Sequence, residues 1–275
     1  MTDKNKALYK AKNLPKIFYI NLDDHDERRK YMETQFGYWG IENYERISAY
    51  DGRGDNDLGE ILKGKYPGTM TSGEVGCVTS HLKAMKQWLE TSEPTEKYCL
   101  VMEDDCDIST MTYWGFTWRE FVSSLPYHWD VIQLAVINPI EVNMRLHHRF
   151  VNDFSTACYL ITRRHAQKLV DMHCRGKYYQ LDQDVKPRAV ADDLIYNSGL
   201  TFAIPLFLYK IELGSSIHDI HVNTFHKSSH DGLWAFWKDS APSIKDWKPM
   251  FEYDPYFGTL PPSLTAKLQA QKEDK

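Results

Sequence analysis

The sequence predicts an α/β fold with a mostly parallel sheet flanked by helices. Short runs of apolar, β-branched and aromatic residues alternate along the chain with longer segments of helical character. Most of these runs are apolar throughout, which is typical of parallel strands that are covered on both faces. No internal repeat or low-complexity segment interrupts the alternation. This order of elements is the pattern of an α/β domain.

Six segments have the composition of strands, and Pro205 marks the last of them as an edge strand or a strand end. Helices are predicted between them, and the helix from about Glu74 to Glu90 has the strongest signals. Thr71 and Glu74 have the spacing of a capping box, and apolar residues follow along one face. The predicted strands are 16–22, 44–49, 98–102, 129–136, 156–162 and 202–208, and the other predicted helices are 23–36, 116–125, 164–172 and 191–197.

The 275 residues suit one large domain with appendages. We predict a flexible leader over residues 1–15 and the folded domain over residues 16–227. Residues 228–275 are rich in aromatic residues and proline without a clear period, and they end in a polar tail. We expect this C-terminal extension to pack on the domain.

The composition excludes several classes of protein. A net charge of −5 without any Lys/Arg-rich block does not indicate a nucleic-acid or anionic-membrane surface. The five cysteines form no C-x-x-C pair, which favours reduced thiols over a disulfide framework. The first residues are polar and lysine-rich, unlike a signal peptide, and no apolar run is long enough to span a bilayer. We therefore expect a cytoplasmic protein, bacterial or viral, without a transmembrane segment.

Three consecutive carboxylates, Glu103, Asp104 and Asp105, follow the apolar strand 98–102. Ligands of open α/β sheets bind at the carboxyl ends of the strands. Adjacent carboxylates repel each other unless a cation or hydrogen-bond donors compensate them, and Mg²⁺ and Mn²⁺ prefer oxygen ligands. The triplet is therefore a candidate metal site, and the alternative interpretation is an acidic loop that caps the next helix.

Two further motifs are weaker when each is considered alone. The segment 71–81, TSGEVGCVTSH, has glycines that allow a close backbone approach, but it also fits an ordinary helix start. Asn21 ends the first predicted strand and is followed by Arg28 and Arg29. These residues suit a nucleotide pocket, and they equally suit helix capping with solvated arginines.

Taken in order, these motifs resemble glycosyltransferase family 25, which includes bacterial lipooligosaccharide galactosyltransferases and collagen hydroxylysine galactosyltransferases. The resemblance extends over residues 16–225. Cys158 departs from it, because the family usually has glycine there. The segments that carry the resemblance are INL with Arg28 or Arg29, AYDG at 49–52, SGEVGCVTSH at 72–81, LVMEDD at 100–105, TACYLI at 156–161 with Ala166, and Asp192-Asp193-Leu194.

The resemblance implies a GT-A fold and an inverting transfer from a nucleotide-sugar, typically UDP-galactose with Mn²⁺ or Mg²⁺. The acceptor would be a hydroxyl of a glycan, as in lipopolysaccharide biosynthesis, or of a protein. Asp192 and Asp193 are the candidate general bases, and the alternative for them is helix capping. Trp234 and Trp237 would either stack on an acceptor sugar or pack in the core.

The remaining site predictions concern the metal and the donor. For the metal we expect Asp105 and Glu103 with a late histidine, His218 or His221, from a cluster that also contains His226 and His230. The predicted residues of the nucleotide-sugar pocket are Asn21, Leu22, Arg28, Ser80, His81, Glu103, Asp104, Thr156 and Tyr159.

Two other functions would also use an acidic cluster at a strand end. One is a metal-dependent phosphoester hydrolase, which would leave the S-H and INL elements unexplained. The other is a glycosyltransferase-like module that binds without catalysing, against which the intact acidic triplet argues.

Overall fold

The computed structural model describes residues 4–54, 58–181, 189–211 and 226–253. In this part of the chain, a seven-stranded sheet forms the centre of the molecule. The strands are β1 (Ile17–Asn21), β2 (Tyr44–Ser48), β3 (Tyr98–Glu103), β4 (Cys106–Asp107), β5 (Val131–Gln133), β6 (His147–His148), β7 (Cys158–Thr162), β8 (Cys174–Arg175), β9 (Tyr178–Tyr179), β10 (Thr201–Ala203) and β11 (Leu208–Tyr209). The helices are α1 (Lys4–Ala11), α2 (Asp26–Trp39), α3 (Ser72–Thr91), α4 (Trp118–Ser124), α5 (Arg163–His173), α6 (Ala191–Tyr196), α7 (Lys227–Ala235) and α8 (Lys248–Phe251).

The order of strands in the central sheet is β2-β1-β3-β7-β5-β10-β6. Five of these strands run in one direction, while β7 and β6 are antiparallel to their neighbours. This architecture of a mostly parallel sheet with helices around it confirms the predicted GT-A-like α/β fold. The reversal of β7 matters for the site, because the residues before β7 lie beside the carboxyl end of β3.

Helices cover both faces of the sheet, which explains why its central strands are apolar throughout. Alternate side chains of a strand point to opposite faces. Leu100 and Met102 accordingly pack in one core with α2, and Cys99 and Val101 pack in the other with α3, α5 and α6.

The two long helices begin and end where the sequence predicts within a few residues. At the start of α3, the Thr71 hydroxyl accepts from the Glu74 amide, and the Glu74 carboxylate accepts from the Thr71 amide. This capping box satisfies two amides that would otherwise lack partners. Helix α2 continues through Gly37 and ends at Gly40, whose φ of 62° is the left-handed conformation common at helix ends.

Three predicted segments differ in the structure. Residues 4–11 of the expected leader form α1, and Ala11 is buried. The predicted strand 202–208 is divided into β10 and β11, because Pro205 cannot donate a ladder hydrogen bond, and β11 pairs with β4 instead. The predicted strand 129–136 is shortened to β5, although its last residues remain buried.

The described part of the C-terminal extension contributes to the core. Trp237 is fully buried, donates a hydrogen bond from Nε1 to the Pro205 carbonyl, and stacks on Trp247 with ring centroids 5.9 Å apart. Trp234 lies edge-on to Tyr113 and is partly buried. Of the two uses weighed for these tryptophans, the contacts support core packing. The polar tail lies outside the described residues.

Within the described ranges, the search for a helix of sufficient length and hydropathy to cross a bilayer finds none.

Candidate active site

Several of the predicted site residues lie together at one edge of the central sheet. β1, β2 and β3 are parallel, so their carboxyl ends lie together at this edge. A cleft opens there, between the strand ends and the start of α3. The cleft is lined by seven residues of the predicted nucleotide-sugar pocket, namely Asn21, Leu22, Arg28, Ser80, His81, Glu103 and Asp104.

Arg28 compensates the charge of the acidic triplet. Its Nη1 lies 3.1 Å from Asp104 Oδ1, and its Nη2 lies 2.6 Å from Asp105 Oδ2. The second oxygen of Asp104 accepts a 2.8 Å hydrogen bond from Asn21 Nδ2. Both oxygens of Asp104 are therefore engaged, and the INL motif and the triplet form one connected unit.

The three carboxylates have different proton affinities. Burial raises the pKa of Asp105 to about 7 against the opposing charge of Arg28, and it also raises the pKa of Asp104. Burial acts on Glu103 in the same direction, but the hydrogen bond and charge of His81, with smaller contributions from Thr156 and Arg28, outweigh it. The pKa of Glu103 is therefore held below its usual range. Glu103 is ionised at neutral pH, whereas Asp105 titrates near it.

Glu103 is held by a short network of side chains. The Thr156 hydroxyl donates to Glu103 Oε1 at 2.5 Å, and His81 Nε2 lies 3.3 Å from the same oxygen. His81 Nδ1 lies 2.9 Å from the Tyr159 hydroxyl. The antiparallel β7 makes these contacts possible, because it places Thr156 and Tyr159 beside the end of β3. All four residues were predicted for the nucleotide-sugar pocket, and here they contact one another.

The start of α3 packs closely against the loop after β2. A Cβ on Gly76 would lie 2.6 Å from the Tyr50 carbonyl oxygen, and a Cβ on Gly52 would lie 1.9 Å from the Ser72 carbonyl oxygen. Ser80 fixes the same contact, since its hydroxyl accepts from the Tyr50 amide at 2.8 Å. The glycines of the two motifs therefore allow the two walls of the cleft to meet.

Replacing Gly76 by alanine should destabilise the protein, because the new methyl group meets backbone atoms that cannot move away easily. We expect a loss of about 1–3 kcal/mol in the free energy of unfolding. Gly37→Ala is the matched control, since a Cβ there meets no atom within 4 Å apart from its chain neighbours and the backbone of its own helix. It should stabilise α2 by about 0.5–1 kcal/mol. Urea unfolding of both variants tests this, and equal effects would contradict the close-packing interpretation.

Asp192 and Asp193, the two candidate bases, have different surroundings. Oδ1 of Asp192 accepts a 2.6 Å hydrogen bond from the Ser155 amide. Burial and, to a lesser degree, the charge of Glu103 raise the pKa of Asp192 to about 6, although Arg149 opposes the shift. The Asp193 carboxylate accepts a hydrogen bond from Asn197, the residue directly after α6. Asp192 is thus hydrogen-bonded to the segment before β7.

One buried oxygen of Asp105 suits the expected divalent cation. Oδ1 of Asp105 is buried and accepts no hydrogen bond from the described part of the chain. A buried carboxylate oxygen in that condition suits a cation that prefers oxygen ligands. His218 and His221 lie outside the described residues. His226 and His230 lie against the ring of Tyr209.

Several residues of the site were missed by the sequence analysis. Arg46 donates from Nε to Asn21 Oδ1 at 2.9 Å, and Cys77 lines the cleft one turn before His81. The spacing of Cys77 and His81 was a usable signal, because residues four apart share a helix face. Ser155 has a φ of 97°, and no sequence pattern indicates this for a residue other than glycine.

Comparisons with known proteins find similarity to glycosyltransferases in the first part of the chain. The model of glycosyltransferase family 25 (LPS biosynthesis protein) matches residues 14–117. The putative glycosyltransferase R655 of Acanthamoeba polyphaga mimivirus is 34% identical over 93 residues, which are 33% of this chain and 28% of that protein. A glycosyltransferase 25 family member of Drosophila melanogaster is 36% identical over 103 residues, 34% of this chain and 16% of that protein.

The chain thus matches less than a third of the length of either relative. The family-model match, residues 14–117, contains the INL motif, the 71–81 motif and the acidic triplet. Asp192 and Thr156 lie outside it. Residues 14–117 are thus similar to glycosyltransferase family 25, the family that the sequence motifs resemble.

Proposed function

We propose that this protein is an inverting, metal-dependent glycosyltransferase that moves a hexose, galactose in the first instance, from a UDP-sugar to a hydroxyl of a glycan or protein acceptor. The observation that carries the proposal is the meeting of two carboxylate groups at one sheet edge. The triplet with Arg28 lies at the end of β3, and Asp192, with its raised pKa, lies beside the segment before β7.

Donor binding would use the cleft between the strand ends and α3. Asn21 and Asp104 lie at its floor, and the Tyr50–Gly52 loop forms one wall. Asp105, with Glu103 nearby, would hold Mn²⁺ or Mg²⁺ through oxygen. When bound, this cation supplies Lewis-acid stabilisation of the leaving diphosphate. Arg28 would keep Asp104 and Asp105 in place while the cleft fills.

An inverting transfer needs one general base for the acceptor hydroxyl. The acceptor oxygen forms a bond to C1 of the sugar as the bond from C1 to the diphosphate oxygen breaks, and UDP leaves with that electron pair. Asp192 would take the hydroxyl proton and later release it to solvent. The Ser155 amide orients this carboxylate through Oδ1. Asp193 is the less suitable of the two candidates, because its carboxylate accepts a hydrogen bond from Asn197 at the end of α6.

We infer a reducing compartment, the cytoplasm, for this reaction. All five cysteines are free in the structure, and three of them are buried. Structural disulfides are rare in the cytosol and common in secreted proteins, so a chain with five unpaired cysteines fits the former.

A screen of UDP- and GDP-sugars tests the proposed function. Each sugar is incubated with the protein and Mn²⁺, without acceptor and then with glycan acceptors, and nucleoside diphosphate, free sugar and phosphate are measured separately. Release of UDP from UDP-galactose, increased by a hydroxyl acceptor, supports the transferase. Release of inorganic phosphate from simple esters would instead indicate a hydrolase, and the absence of Mn²⁺-dependent binding of any nucleotide-sugar would contradict the proposal.

The transfer rate should depend on pH through the protonation of Asp192. A base works only when it is deprotonated, and the pKa of Asp192 is about 6. At saturating Mn²⁺, kcat/KM should therefore fall about tenfold for each pH unit below that value and level off above it. A pH profile with a constant-ionic-strength buffer measures this. A rate that stays level through pH 5 would exclude Asp192 as the base.

A further inference from the structure

A second group of metal-binding side chains lies in the cleft, apart from Asp105. Cys77 and His81 occupy one face of α3, one turn apart, and Glu103 ends β3 opposite them. One ligand atom of each residue lies within 4.8 Å of those of the other two. Among the described residues, this is the group of three that could hold a metal ion.

The imidazole and the carboxylate of this group are held in place by neighbours. His81 Nδ1 lies 2.9 Å from the Tyr159 hydroxyl, which leaves Nε2 on the side of Glu103, 3.3 Å from its Oε1. The Thr156 hydroxyl fixes the same carboxylate. Metal-binding histidines and carboxylates are typically oriented by partners of this kind, which set the ring position before the ion arrives.

The set of metal ligands differs from that of an Mg²⁺ or Mn²⁺ site. Hard cations take oxygen ligands, whereas a thiolate with an imidazole and a carboxylate suits Zn²⁺ and the cations that replace it. Three protein ligands with a fourth position left open are typical of accessible zinc sites. All three residues line the cleft, so the fourth position would face the space that the donor fills.

We propose that Cys77, His81 and Glu103 form a binding site for a thiophilic divalent cation, Zn²⁺ in the first instance, within the donor cleft. The site differs from the oxygen site at Asp105 in its thiolate and imidazole ligands, and Glu103 adjoins both. Binding would release the thiol proton of Cys77 to solvent and would take His81 and Glu103 out of their mutual contact. Because the cation would share the cleft with the nucleotide-sugar, each should weaken the binding of the other.

Cobalt substitution tests the site without any nucleotide. The full-length protein is titrated with Co²⁺, and absorption is recorded for the thiolate-to-cobalt charge-transfer band and for the intense visible bands of a tetrahedral site. Competition with Zn²⁺ then gives its affinity. Calorimetry in two buffers of different ionisation enthalpy counts the proton that is released.

The wild-type protein and Cys174→Ser should both show the charge-transfer band, since Cys174 lies at the end of α5, away from the cleft. Cys77→Ser should lose the band. Tyr159→Phe should keep it with an affinity about 10- to 100-fold lower, because only the orientation of His81 changes. Thermal unfolding confirms that each variant is folded.

A wild-type protein without the band, or a band that persists in Cys77→Ser, would overturn the site. Neither result bears on whether a UDP-sugar binds with Mn²⁺, so the two proposals fail separately.

Discussion

Replacing Asp192 by asparagine is expected to reduce kcat by about 10²- to 10⁴-fold, the usual contribution of a general base. Asparagine has nearly the same shape and retains an oxygen that can accept from the Ser155 amide, so the segment before β7 should stay in place. The affinity for the nucleotide-sugar should change little, since the donor cleft is lined by other residues. Steady-state kinetics with calorimetric donor binding separates the two effects.

Asp193→Asn is the matched control for this experiment. Asp193 is the adjacent residue of α6, and its carboxylate accepts a hydrogen bond from Asn197. Its replacement should leave most of the activity intact. If Asp193→Asn removed the activity and Asp192→Asn did not, the assignment of the base would be reversed.

The same substitution should make the protein more stable at neutral pH. The pKa of Asp192 rises from an ordinary value of 3.8 to about 6 in the folded chain, mainly through burial. Asp192 therefore contributes favourably to the free energy of folding below its unfolded pKa, and this contribution is lost as the pH rises through about 6. At pH 7.5 and above, Asp192→Asn should exceed the wild type by on the order of 1–3 kcal/mol. The difference should vanish near pH 4, and denaturant unfolding at the two pH values measures it.

The opposite signs for activity and stability distinguish a working base from a structural acid. If the carboxylate stabilised the fold, its replacement would make the protein less stable. Replacing a buried carboxylate that has an elevated pKa instead makes the protein more stable. Such a loss of stability in favour of activity is common at catalytic sites.

The composition of the strands predicts the sheet well, because a strand that is buried on both faces is apolar at nearly every residue. β1 and β3 are found within one or two residues of their predicted bounds. The acidic triplet is equally visible, since three carboxylates after an apolar strand need compensation. Arg28, predicted for the donor pocket, supplies part of it.

The contacts between neighbouring strands could not be predicted from the sequence. The direction of β7 decides that Thr156 contacts Glu103, and strand direction leaves no trace in an apolar segment. The left-handed conformation of Ser155 places its amide on Asp192, but a serine does not indicate that conformation. Long-range pairing sets both features, so only the three-dimensional fold separates Asp192 from Asp193.

The second large effect is expected for Asp105→Asn, which tests the oxygen site. Asparagine retains one oxygen for Arg28, but it lacks the charge and the second carboxylate oxygen. If Asp105 binds the cation that stabilises the leaving diphosphate, the activation free energy of transfer should rise by several kcal/mol. The transfer rate should then fall about 10²-fold or more. The Mn²⁺ concentration for half-maximal activity should rise together with this loss.

Asp107→Asn provides the control for Asp105→Asn, because Asp107 is two residues away and its carboxylate accepts from the Ser109 amide. It should retain both the activity and the Mn²⁺ dependence of the wild type. Direct Mn²⁺ binding, followed by electron paramagnetic resonance in the presence of UDP, separates a lost ligand from a disturbed fold. If Asp105→Asn turned over at the wild-type rate with unchanged Mn²⁺ dependence, the cation would have to be held by other carboxylates. Glu103, which is ionised at neutral pH and lies at the same strand end, would then be the first to replace.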